Sequence, residues 1–245
     1  MFVLVPLGMV AIIGFGIYAA VKAHGESQRR RAAIDATVAA HRLGHLAEDP
    51  ARTTYFHSPP FEVGNNRRAT DIVWGTLAGR PFEAFSYSYE TESTDSEGRR
   101  TTTTHHYQVT WVPLPGSLPT VRITADNAVL RALTRVGMRD LKVESHEFNQ
   151  RWKVWCADER SGHALLTPRM IERLLGADVA GRAFVFEGRA LMSYAQEVSD
   201  LAELPLVVGV LYDLADRIPG FMLEEPGAAP GPHPGPPPGG APAGG

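Results

Sequence analysis

Arg80-Pro81-Phe82-Glu83-Ala84-Phe85-Ser86-Tyr87-Ser88-Tyr89-Glu90-Thr91 alternates aromatic with polar side chains from Phe85 onward. Successive side chains of a strand point to opposite faces, so the alternation predicts a strand with one buried face. Gly79 and Pro81 separate it from an earlier strand over 71–77. Downstream, Tyr107, Val109 and Trp111 repeat the alternation, and Val121 and Ile123 continue it in a third run. The intervening stretch 92–104 is polar, with Asp95-Ser96-Glu97-Gly98 as turn chemistry, and reads as a long hairpin with a mobile tip.

Outward from this block the signals mix. Residues 127–136 predict a short helix stopped at Gly137. Residues 141–144 and 151–156 predict strands, the second with Trp152, Val154 and Cys156 on one face. Thr167 is an N-cap residue with Pro168 at the first helical position, and Met170, Ile171, Leu174 and Leu175 supply a buried stripe. Residues 182–187 and 189–194 read as a hairpin around Gly188. Leu204, Val208, Leu211 and Ala215 line a last helix, with Asp200 as its cap and Pro205 in its first turn. Ser58-Pro59-Pro60 and Gly64-Asn65-Asn66 place a loop over 55–68. Together these predict an α+β domain, a mostly antiparallel sheet with two or three helices packed on one face.

The N-terminal end carries a different signal. Residues 2–21 hold no charged side chain and are followed by Lys22 and Arg29-Arg30-Arg31. A helix of that length spans ~30 Å, the thickness of a bilayer core. It lacks the basic n-region of a signal peptide, and Val21-Lys22-Ala23 is a poor cleavage site. The basic flank lies on its C-terminal side, so the N-terminus is expected outside and the remaining domain in the cytoplasm. The expected organisation is an anchor over 1–22, a helical stalk over 23–50, a cytoplasmic domain over 51–218 and a disordered Pro/Gly-rich tail over 219–245.

Composition narrows the function classes. A formal charge of −3 leaves no nucleic-acid footprint. The one cysteine, Cys156, forms neither an internal disulfide nor a thiolate cage. His41 and His45 would share a face of the stalk helix, but no third ligand accompanies them. His105 and His106 would point to opposite faces of a strand. Cys156 with Asp158 and His163 resembles a thiol site only on paper, because the strand face it shares suits a small buried hydrophobe. Ser145-His146-Glu147 is contiguous, whereas triads assemble from distant segments. No glycine-rich phosphate loop, nucleophile elbow or Walker lysine occurs. The expectation is a protein without enzymatic activity, cofactor or metal.

Gly79-Arg80-Pro81-Phe82 leading into Phe85, Tyr87 and Tyr89, Glu147-Phe148-Asn149 followed by Arg151-Trp152, and Leu165-Leu166-Thr167-Pro168-Arg169-Met170 together resemble a family of membrane-anchored bacterial proteins of unknown function, common in actinobacteria. The resemblance covers residues 70–218. It implies one or two membrane helices ahead of a cytoplasmic α+β domain, and no established site. Polar residues embedded in these motifs, Arg80, Glu147, Asn149, Arg151 and Arg169, are the candidate contacts for a ligand or partner and could form a buried network. The expected function is a single-pass, membrane-tethered binding or scaffold module, engaging a protein partner at the inner leaflet through the aromatic strand, the sheet or the tail. The alternative is a membrane-bound small-molecule sensor or hydrolase with a pocket between sheet and helices.

Overall fold

The computed structural model describes residues 32, 35, 36, 38–125, 139–196 and 203–223. The chain divides into two units, Met1–Arg42 and Leu43–Gly245. In the first, 38–41 are helical. No helix among the described residues is long and apolar enough to cross a membrane; the expected anchor over 2–21 lies outside them.

Seven strands form the second unit: β1 (Gly44–Glu48), β2 (Asn65–Leu77), β3 (Arg80–Thr94), β4 (Arg100–Ala125), β5 (Arg139–Leu141), β6 (Trp152–Cys156) and β7 (Ala183–Gln196). They make one sheet in the order β1-β2-β3-β4-β6-β5, with β7 also paired to β4. Every pairing is antiparallel. Among the described residues of this unit the α-helices are α1 (His146–Arg151), α2 (Glu159–Leu165), α3 (Pro168–Leu174) and α4 (Leu204–Ala215). The α+β expectation holds among the described residues.

The quoted stretch is the axis of this sheet. Tyr87 pairs with Tyr107 and Phe85 with Val109, while the Val109 partner on β7 is Tyr194. Phe85, Tyr87, Tyr89, Tyr107, Val109, Trp111, Met192 and Tyr194 are thereby brought into one buried cluster. The segment between β1 and β2 covers it. Asp49 caps a 3₁₀ turn over Pro50–Thr54, and Phe56 and Phe61 enter the cluster, with ring centroids 5.9 Å from Trp111 and 4.4 Å from Tyr87 respectively. Glu187 on β7 accepts from the backbone N–H of His57 at 2.6 Å and of Ser58 at 3.0 Å, pinning the segment across the sheet.

Beneath that segment lies an ion set. Arg52 and Glu83 both have 0% exposure. The Arg52 guanidinium pairs with Asp49 and donates to Glu83 at 3.1 Å, and the indole N–H of Trp111 donates to Glu83 at 3.2 Å. Buried charges persist only when paired and hydrogen-bonded in this way.

Five local expectations are corrected. The stalk helix does not extend to residue 50: Gly44–Glu48 is an edge strand paired with β2. His45 therefore lies on a strand, and the helical-spacing argument joining it to His41 falls. β2 begins at Asn65, inside the expected loop. Residues 107–123 belong to one strand of 26 residues, which absorbs Pro113, Pro115 and Pro119 at an irregularity in its pairing with β7. Residues 183–196 are likewise one strand, not a hairpin. Gly188, at φ 56°, lies opposite Leu118 at that same irregularity, so its left-handed backbone bends a strand instead of reversing it. The fold also runs past the expected boundary at 218: a 3₁₀ turn spans Gly220–Met222, and Gly116 lies so close to Leu223 that a methyl there would meet its carbonyl carbon at 2.6 Å.

A sixth correction concerns the strand expected over 141–144: only Leu141 of it belongs to β5, and 142–144 lie outside the strands. Two other expectations are met. The hairpin tip closes where expected, with Asp95 N–H donating to Arg99 O and Gly98 N–H to Asp95 O, both at 3.0 Å. Pro205 sits in the first turn of α4, whose N-cap is Glu203. The expected cap Asp200 and the expected helix over 127–136 lie outside the described residues.

Candidate functional site

Ser145 begins the local construction. Its side chain caps α1 by accepting from the Phe148 N–H at 3.3 Å, and Phe148 is driven fully inside. One residue on, Asn149 turns back along the chain. Its amide donates to the Val143 carbonyl at 2.6 Å and accepts from the Val143 N–H at 3.1 Å. The segment 142–145 is thus held as a wall by one side chain.

The facing wall is α3. Thr167 caps it through Met170 N–H at 3.3 Å, and Pro168 occupies the first turn. Met170 and Leu174, four apart, are buried. Of the four-residue stripe expected from sequence, Ile171 and Leu175, each ~100° further round the helix, are only half-buried. Arg151 fixes the end of this helix, donating to the carbonyls of Leu175 at 2.6 Å and Gly176 at 2.9 Å. The Trp152 indole donates to the Leu174 carbonyl at 2.9 Å.

Between the walls runs a groove of about 780 Å³. Val143, Leu166, Pro168, Ile171 and Leu175 make it apolar; Lys142, Glu144, Ser145, His163 and Glu172 are its polar lining. Glu144 stands on one wall and Glu172 on the other, both exposed.

The five residues singled out by sequence do not form one buried network. Asn149 and Arg151 are brought together here, holding opposite walls, but they shape the groove instead of lining it. Glu147 is exposed in the first turn of α1. Arg169 is exposed beside Pro168 and borders an adjoining polar depression of about 640 Å³ with Arg173, Asp178, Arg217 and Glu172, which it shares with the groove. In that depression Arg173 is already held by Asp178 and Asp213. Arg80 is elsewhere: it forms a two-bond fork with Asp216 on the C-terminal side of α4, both contacts at 2.7 Å, and lies 3.8 Å over the Tyr212 ring. The hydrogen bond from Arg80 holds the Asp216 carboxyl below its ordinary range.

The aromatic strand is not a surface. Phe85, Tyr87 and Tyr89 are at most 1% exposed, so the expected aromatic docking edge is corrected to a core. Cys156 is buried, its thiol pushed up by burial, whereas His163 is exposed. Asp158 is occupied capping α2. Among the described residues no group of three or more His, Cys, Asp and Glu is arranged to hold a metal. Val143, Leu166, Ile171 and Leu175 were not legible in the sequence as groove residues; the apolar stripe of α3 had marked Ile171 and Leu175, but as buried.

No family model and no curated protein matches the chain. Among solved structures it is similar to the mycobacterial trehalose monomycolate transport factor A, TtfA, with a TM-score of 0.56 at 11% identity over 78% of this chain and 92% of that one. At that identity the likeness is one of fold.

Proposed function

We propose that this chain is a membrane-tethered, non-catalytic binding or scaffold module, and that the groove between 142–145 and α3 receives its protein partner. The observation that carries this reading is the groove itself. Val143, Ile171 and Leu175 are left half-buried in it and Pro168 exposed, while Asn149, Arg151 and Trp152 are committed to holding its walls. The fold shared with a factor named for trehalose monomycolate transport supports a binding or scaffold role in membrane-related transport.

In this reading residues 2–21 anchor the chain, Lys22 and Arg29–Arg31 keep the folded domain cytoplasmic, and tethering makes modest affinity sufficient by raising local concentration. The test is recovery of partners by the full-length chain from membranes of its source cells, beside the variant Ile171→Glu. The expected result is a defined partner lost from the variant while its thermal transition is retained. Equal recovery by both proteins would remove the groove from the account. Protease accessibility of a C-terminal tag in sealed vesicles tests the topology separately.

A further inference from the structure

The walls of the groove restrict what can enter it. Both polar groups of the Val143 peptide are consumed by Asn149. On the other wall the carbonyls of Leu174, Leu175 and Gly176 are consumed by Trp152 and Arg151. Strand addition depends on main-chain donors and acceptors left open along an edge. The Val143 groups are closed to such pairing, and what the groove itself presents is side-chain surface from Val143, Leu166, Pro168, Ile171 and Leu175.

Pro168 and Ile171 on α3 and Leu175, its C-cap residue, follow one another at intervals of three and four residues, a ridge along the helix. Such a ridge is matched by the side chains of a second helix. The lips add a charge preference. Glu144 and Glu172 face the groove from opposite walls, and neither makes an ion pair with a described residue; Lys142 is the single fixed positive charge in the lining.

Building on the proposed partner groove, we infer that its occupant is an amphipathic helix of a partner protein, inserting an apolar stripe flanked by basic residues that meet Glu144 and Glu172. Helix-in-groove recognition of this kind is read by anchors at i, i+3 or i+4, and i+7, and paired charges on the lips set the partner's orientation and exclude acidic competitors.

The test uses the full-length chain in detergent and three fluorescent probes: a designed helix with leucines at that spacing and arginine flanks, the same helix with glutamate flanks, and a fluorescent palmitate analogue. The arginine-flanked helix is expected to bind about tenfold more tightly than the glutamate-flanked one, the scale of two or more exposed ion pairs. The double variant Glu144→Lys, Glu172→Lys, both substitutions at exposed positions, should reverse that order, and Ile171→Glu should abolish binding of both helices. Equal binding of the two helices, an order unchanged in the double variant, or binding of palmitate alone would overturn the inference. If neither helix binds while Ile171→Glu still loses the cellular partner, the helix assignment falls and the partner groove stands.

Discussion

Asn149 holds Val143 by both of its main-chain groups, donating to the carbonyl at 2.6 Å and accepting from the N–H at 3.1 Å. A single side chain therefore fixes one wall of the groove. Asn149→Ala leaves both groups without these partners and should cost about 1–3 kcal/mol, read as a lower urea midpoint with an unchanged slope. Asn149→Asp sets a second oxygen against the Val143 carbonyl and should not rescue it. Both should also weaken partner recovery, because the wall loses its position.

Glu83 and Arg52 supply a second expectation. Removing one member of a buried ion pair strands the other charge. Glu83→Leu should therefore cost about 3–5 kcal/mol, with Trp111 also losing its acceptor. The double variant Arg52→Leu, Glu83→Leu should cost less than the sum of the two single changes. Chemical denaturation of all four proteins measures the coupling; strict additivity would mean that the pair contributes nothing specific.

The period-two run from Phe85 to Tyr89 made the central strand legible, because alternation reports local backbone geometry. It did not report what covers the buried face. That cover comes from Phe56 and Phe61, in a segment whose Ser-Pro-Pro and Gly-Asn-Asn signals state only that the chain turns. Gly188 of β7 misled for a related reason: a glycine between two apolar runs reads as a turn, but here it lies opposite Leu118 where the pairing of β4 and β7 shifts register. At the candidate site, Asn149 and Arg151 stood out in sequence because they sit in distinctive motifs. Their roles were hidden, since the groups they satisfy, at Val143 and at Leu175 and Gly176, are backbone atoms that no side-chain pattern marks.

Alkaline pH should unfold the protein through its tyrosines. Burial raises the phenol of Tyr212 to about 12, and raises those of Tyr87, Tyr107 and Tyr194 as well. A group whose folded pKa is raised contributes stability that is complete below its unfolded value, ~10 for tyrosine. That contribution is lost as pH climbs from ~10 toward the folded values. Phenolate absorbance near 295 nm should accordingly rise together with loss of tertiary circular dichroism, and lag behind free tyrosine. Independent titration of all seven tyrosines near pH 10 in a folded protein would contradict the buried cluster.

Acid should act through surface carboxylates. Hydrogen bonds from Arg173 and Arg80 hold Asp178 and Asp216 below their ordinary range. The depressed folded pKa gives stability present above ~4 and lost as pH falls through the folded values. These pairs are partly exposed, so the loss should be modest and weakened by salt. Arg80→Gln should return Asp216 toward the ordinary carboxylate range by NMR titration, leaving Asp178 unchanged.

The most direct measurement is site-specific photo-crosslinking in intact cells of the source organism, with a photoreactive side chain at Ile171 in the groove and, as a control, at exposed Leu206 on α4. A discrete adduct from position 171 that is absent from position 206, and that disappears when Asn149→Ala is added, is the expected result. No adduct from 171, or the same adducts from both positions, would contradict the groove as the binding surface.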